Sequence, residues 1–304
     1  MNGSIRTYQF FKRTATGLFL GLVLLKTWAR SGDSRVSGSA HEYSTSTLGV
    51  FQSGSVSDVL DGNSETLSGR PTLVFESGGG DGPETWPALE PFAKNWGAIF
   101  VYKRAGYDNS RQGTFPRTGR QIATELHEHL KRIGLKPPYI LVGQSIGGLY
   151  VRVFQRMFPT EVTGMVLIDP YEDFSSACLK LRADFFRRTG AYPCAKEMCL
   201  LPHDAPQPFK SELENLGETE RELAKLPLPK TIPVVYLWAN QPLPKGMDRN
   251  FWNDFMKILR AKARDTSTSI NATFREVNSG HYIHQEHSDI VAAAIDGVMK
   301  AATQ

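Results

Sequence analysis

From Arg70 to the C-terminus the sequence alternates short apolar runs with segments of helical periodicity, and that alternation limits the fold more than any other feature. The runs are "PTLVFES", "GAIFVY", "YILVG", "GMVLID", "IPVVYLW" and "ATFREVN". Between and after them, helices are predicted over 84–95, 117–133, 146–158 and 288–301. In the second of these, Ile122, Leu126, Leu130 and Ile133 recur at helical spacing. Short apolar runs alternating with amphipathic helices suit strands covered on both sides, so the expected core is a mostly parallel sheet packed between helices. Ligands of such sheets bind beyond the carboxyl ends of the strands. The loops "GGGDGPE" and "KRAGYDNSRQG" fall there.

The remaining segments break the alternation. Residues 171–230 carry Pro, Cys and charged helical stretches but no strand-like run, and read as a helical cap inserted after the strand that ends at Asp169. Residues 31–69 are a Ser/Gly-rich linker, with "TLGVF" as a candidate edge strand. In residues 1–30, Arg6, Lys12 and Arg13 precede an apolar run from Ala15 to Leu25, the layout of a secretory signal. That run is shorter than the roughly 20 residues of a spanning helix. Trp28 and its neighbours extend it, so a cleaved signal peptide and a retained membrane anchor both stand. The expected location is therefore secreted, exported or membrane-anchored, with membrane association through this segment. The core is assigned to 70–170 and 231–304. A chain of 304 residues with 40% hydrophobic content is long enough for such a domain with one insertion. The net charge is only +4, and no basic run is interleaved with aromatics, which argues against a nucleic-acid partner. Cys194 and Cys199 in "CAKEMC" either close a small loop or remain thiols, with Cys178 left over. Paired Cys-x-x-Cys motifs are absent, so no structural zinc is expected.

Within this frame, Gly143-Gln144-Ser145-Ile146-Gly147 satisfies G-x-S-x-G directly after one strand run and directly before a helix. That context suits a sharp strand-to-helix turn which projects the serine oxygen from the sheet edge. The glycines are needed because side chains there would collide with the neighbouring strand and helix. The N–H of Ile146 then points into the same space, and Gly79 of "ESGGGDG" would supply the second oxyanion donor. A base should follow the last strand, where "SGHYIHQEHSD" offers His281, His284 and His287. His281 occupies the expected loop. Every-third spacing sweeps the three histidines round a helix surface, unlike the i, i+4 pair of HExxH, so no metal site is expected. For the acid, "VLIDP" places Asp169 at the active edge and gives the chain order Ser, Asp, His. Asp248, beyond the fifth run, is held in reserve.

With these pieces in order, the chain resembles the α/β-hydrolase superfamily over about three quarters of its length. "VYKRAGYDNS" is similar to the family's D-R-x-G-x-G-x-S segment, and "YILVGQSIGGLYVRVFQRMFP" to its nucleophile elbow and following helix. The resemblance implies an eight-stranded, mostly parallel sheet, no cofactor and a Ser–His–acid mechanism. An acid after the fourth run is similar to pancreatic-lipase-type members. Ser77-Gly78 stands where the family usually has His-Gly, and Gln144 where G-H-S-x-G has His. The expected activity is hydrolysis of a carboxylic ester or similar acyl bond of a small-molecule substrate. Acyl transfer or small-peptide hydrolysis at the same site, and a non-catalytic ligand receptor on the same fold, remain as alternatives.

Overall fold

The computed structural model describes residues 70–303 apart from 95, 108, 109, 111, 174, 192–204 and 228–230. Each of the six apolar runs forms a strand: β1 (Thr72–Glu76), β2 (Ile99–Val101), β3 (Tyr139–Gln144), β4 (Val162–Ile168), β5 (Val234–Ala239) and β6 (Thr273–Val277). They make one sheet in the order β2-β1-β3-β4-β5-β6, and every neighbouring pair is parallel. Phe75 stands beside Val142, Val142 beside Val166 and Leu167 beside Tyr236. The chain winds outward from β1 to β2, then returns to add β3 on the other side. Loops leaving the carboxyl ends of β1 and β3 therefore diverge, and a crevice opens between them. β1, β3 and β5 are buried throughout, as strands covered on both faces must be, whereas β6 is an edge strand with exposed Arg275 and Glu276.

The helices are α1 (Glu90–Ala93), α2 (Gly119–Arg132), α3 (Ile146–Met157), α4 (Ser175–Thr189), α5 (Gln207–Glu214), α6 (Leu216–Lys225), α7 (Arg249–Ser269), α8 (Ile283–Glu286) and α9 (Ser288–Ala302). One expected helix is not continuous. Residues 84–95 break into two 3-10 turns, Pro83–Thr85 and Pro87–Leu89, followed by α1. Pro83, Pro87 and Pro91 lack the N–H that a longer helix needs, so each starts a new turn. The crossover helix α7 has no counterpart in the sequence reading. Against the sheet, Val291, Ile295 and Val298 of α9 join Leu73, Phe75, Val142, Val166 and Ile168 in the core. Burying each such side chain contributes about 1.5–3 kcal/mol.

Six strands among the described residues contrast with the eight implied by resemblance. The candidate "TLGVF", the linker, the apolar leader and the Cys194–Cys199 pair all lie outside the described residues. No helix among the described residues is long and apolar enough to cross a membrane. The chain divides into two compact units. The larger, among the described residues, takes those within 70–173, 206–240 and 262–303, and so holds the sheet together with α5 and α6. The smaller, among the described residues, takes those within 175–205 and 241–261, and holds α4 and the first part of α7. Within it Phe185 packs edge-on against Phe251 at 5.6 Å.

Candidate active site

Ser145 is the single residue between β3 and α3, with φ 56° and ψ −126°. An L-residue held at positive φ needs surrounding bonds to keep it there. Ser145 N donates to Ile168 O at 3.1 Å, and its carbonyl accepts from Gly148 N at 3.0 Å and Tyr171 N at 2.8 Å. The turn is thus fixed by β4, by α3 and by the chain just beyond β4. Both motif glycines are explained by close approach. A Cβ on Gly147 would lie 2.3 Å from Glu76 O and 2.6 Å from Ser77 O, at the end of β1. One on Gly143 would lie 2.7 Å from Val151 Cγ2 and 2.8 Å from Gly147 O, inside α3.

His281 follows β6 in the loop Asn278–Tyr282, and its Nδ1 lies 2.6 Å from Asp169 Oδ2, with both side chains at most 3% exposed. Asp169 also has positive φ, 39°. Its backbone N donates to Leu237 O at 2.7 Å, and its Oδ1 accepts from Ala239 N at 3.2 Å. The adjacent strand β5 therefore holds both the backbone and the carboxylate. A carboxylate against Nδ1 fixes the proton on that nitrogen and leaves Nε2 as the acceptor. Facing that acceptor at 3.1 Å is Nε2 of Gln144, which is 1% exposed. The reserve acid, Asp248, accepts from Phe251 N at 2.9 Å and so caps the start of α7.

The histidine loop is tied down from several sides. Glu286 Oε2 accepts from Gly280 N at 2.8 Å and from Ser279 Oγ at 3.1 Å. Tyr282 donates to Asp81 Oδ2 at 3.1 Å, and Gln285 Nε2 to Thr85 O at 3.0 Å, which fastens this loop to the glycine loop after β1. His284 is fully buried with its ring tilted 34° against Trp86, centroids 4.4 Å apart, while the His287 ring donates to Asn278 O at 3.2 Å. Among the described residues no group of three or more His, Cys, Asp or Glu side chains is arranged to hold a metal ion.

Gly78 and Gly79 lie beside the nucleophile turn. A Cβ on Gly79 would lie 2.4 Å from Phe209 Cε2 and 3.1 Å from Ile146 Cδ1, so Gly79, Ile146 and α5 meet at one point. One on Gly78 would lie 3.3 Å from Ser145 Cβ. Beneath this loop sits a buried charge cluster that the sequence reading missed. Arg104 donates to Glu76 Oε1 (2.8 Å), Glu212 Oε1 and Oε2 (2.9 and 3.0 Å), Ser77 O (2.6 Å) and Gly78 O (2.6 Å). The guanidinium fork thereby joins the glycine loop to α5. Burial opposes the Arg104 charge, but Glu212, Tyr107 and Glu76 outweigh it and hold the guanidinium above its ordinary pKa. Burial raises the Glu76 carboxyl against the opposing pull of Arg104 and of the Tyr102 hydroxyl. The sequence signal for this cluster was a lone acid, Glu76, ending an otherwise apolar strand.

Comparison with known proteins gives a consistent result. The alpha/beta hydrolase family pattern matches residues 73–294. The chain is 27% identical over 233 residues to the uncharacterized protein YqjL of Bacillus subtilis (strain 168), covering 77% of this chain and 85% of that one. Among solved structures it is similar to a thermophilic esterase from Thermogutta terrifontis, with TM-score 0.53, 18% identity and coverage of 78% and 91%. It is also similar to an enol-lactonase from Burkholderia xenovorans LB400, with TM-score 0.56, 13% identity and coverage of 78% and 94%. At these identities the two structures speak to the fold.

Proposed function

Because the chain belongs to the alpha/beta hydrolase family, we propose that it is a serine hydrolase which cleaves a carboxylic ester or similar acyl bond through Ser145, His281 and Asp169. The observation that carries this reading is the buried 2.6 Å contact between His281 and Asp169, with His281 facing Gln144, the chain neighbour of a serine held at positive φ. An imidazole oriented in this way by a carboxylate is what a general base for a hydroxyl requires. Ser145 Oγ attacks the substrate carbonyl carbon while His281 Nε2 takes the hydroxyl proton. The N–H groups of Gly79 and Ile146 receive the oxyanion, each worth about 2.7–4 kcal/mol in the transition state. Collapse of the tetrahedral intermediate expels the alcohol, protonated by His281, and leaves an acyl-serine. Water, deprotonated by the same nitrogen, releases the acid and restores the serine. The names of the two structural neighbours, an esterase and a lactonase, support an acyl–oxygen bond as the one cleaved. Phe209, packed against Gly79, supports an apolar acyl or alcohol group.

A fluorophosphonate probe with peptide mapping tests this directly. The expected label is on Ser145, lost in Ser145→Ala and strongly slowed in His281→Ala, with matching loss of p-nitrophenyl ester turnover. Folded wild-type protein that takes no label at neutral pH would instead point to a non-catalytic receptor.

A further inference from the structure

The residue before the nucleophile is glutamine, and its amide stands against the one nitrogen that general-base chemistry needs free. Gln144 Nε2 lies 3.1 Å from His281 Nε2 and 3.5 Å from the His281 carbonyl oxygen. With the ring proton on Nδ1, facing Asp169, both of these are acceptors, so the amide nitrogen is the group that suits them. A flipped amide would set its oxygen against two lone pairs. Gln144 Oε1 points the other way, toward the glycine loop, where a Cβ on Gly78 would be only 2.3 Å from it. The absent side chain at Gly78 is what gives this amide its room.

From this geometry we propose that Gln144 is a positioning residue for the base: in the resting site its amide donates to the single lone pair of Nε2, favouring the neutral imidazole, and gives that lone pair up to the Ser145 hydroxyl proton when the substrate is attacked. The inference rests on the serine-hydrolase reading and adds a function for Gln144. Asp169 favours the imidazolium, and alone would hold the base protonated to higher pH. The Gln144 amide opposes this. Protonating Nε2 would put two N–H donors face to face across a buried contact, where screening by water is weak. Activity consequently extends to lower pH than the His–Asp pair alone would permit. Other titratable groups surround the ring from every side: Asp169 from β4, Asp81 through Tyr282, Tyr282 itself with ring centroids 5.5 Å apart, and Glu286 beneath Gly280. The Glu76–Arg104 pair lies behind Ser77. Each is retained when only residue 144 changes, so a displaced pH limb reports the amide.

The test is the acid limb of kcat/KM for an ester substrate, measured on the full chain. Gln144→Leu keeps the bulk and removes the donor, and is expected to move the limb upward by roughly half to one pH unit. Gln144→Glu places an acceptor against protonated Nε2 and moves it further, by about one to three units. A merely structural role would lower kcat or stability and leave the limb in place. Should the variants fail to fold, uniformly 15N-labelled wild-type protein serves, through the N–N coupling across the Gln144–His281 hydrogen bond. A limb unmoved in both folded variants overturns the proposal, as does absence of that coupling. Fluorophosphonate labelling run alongside separates the two failures. A labelled Ser145 with an unmoved limb refutes only the role of Gln144, whereas an unlabelled wild type removes the hydrolase reading itself.

Discussion

Replacing Arg104 with Met tests whether the cluster under the glycine loop holds the site in shape. The guanidinium makes five contacts of 2.6–3.0 Å to two carboxylates and two carbonyls, with Arg104, Glu76 and Glu212 side chains 2%, 1% and 0% exposed. Met matches the length of the stem but leaves both acids without their cation. Removing one member of a buried charge pair typically destabilises by about 3–5 kcal/mol. The carbonyls of Ser77 and Gly78 lose their donors as well, at about 1–3 kcal/mol each if no water replaces it. The stranded carboxyls limit the damage by taking up protons, so we expect a net loss of about 3–5 kcal/mol at pH 7. Against a total stability of about 5–15 kcal/mol, this leaves a folded but weakened protein. Urea denaturation followed by circular dichroism measures it. Sign and pH dependence are fixed together. Unpaired buried acids have raised folded-state pKa values, so the stability they carry is complete below their unfolded value and is lost as pH rises through the folded one. The deficit should therefore shrink as pH falls from 8 toward 5. Adding Glu212→Leu to Arg104→Met removes one stranded acid and should recover part of the loss. A single variant within about 1 kcal/mol of wild type, or a deficit that grows on acidification, would refute the reasoning.

Two further outcomes follow from other parts of the structure. The half-buried Glu220 carboxyl is pushed up to about 7 by burial first and by the nearby Asp173 next, with the Tyr171 hydroxyl opposing. Its stabilising contribution is complete below about 4.5 and is lost as pH rises to about 7, since ionisation is disfavoured in the fold. Glu220→Gln should thus stabilise the protein at pH 8 by ~1–2 kcal/mol after allowance for solvent screening, and leave it unchanged near pH 4. Equal melting of the two proteins at pH 8 would contradict this. Asp169→Asn should lower ester turnover about 10⁴-fold by losing the correct imidazole tautomer. Asp248→Asn should leave turnover near wild type, because Asn still caps a helix; steady-state kinetics on the two variants distinguishes them, and the reverse ranking would reassign the acid.

What the sequence by itself determined was whatever is encoded over a few neighbouring residues. Six short runs became six strands: five are apolar and largely buried, which has a local signature, and the sixth, in "ATFREVN", is a partly exposed edge with β-forming Thr, Phe and Val. Ser145 is legible because its turn needs Gly143 and Gly147 within two residues on either side. Conformational demands of this kind are settled by adjacent side chains and backbone, so they survive without knowledge of the fold. A local misreading, the helix over 84–95, came from giving apolar content more weight than the three prolines that interrupt it, and α7 was missed altogether. What only the tertiary structure decided involves residues far apart in the chain. On paper Asp169 stands first as the acid with Asp248 in reserve, and the parallel pairing of β4 with β5 is what sets the Asp169 carboxylate against His281. The Arg104–Glu212 pair spans 108 residues and the Gln144–His281 contact 137. No periodicity or motif records such partners, because a buried polar group reveals its role only when folding removes water and requires each donor to find an acceptor.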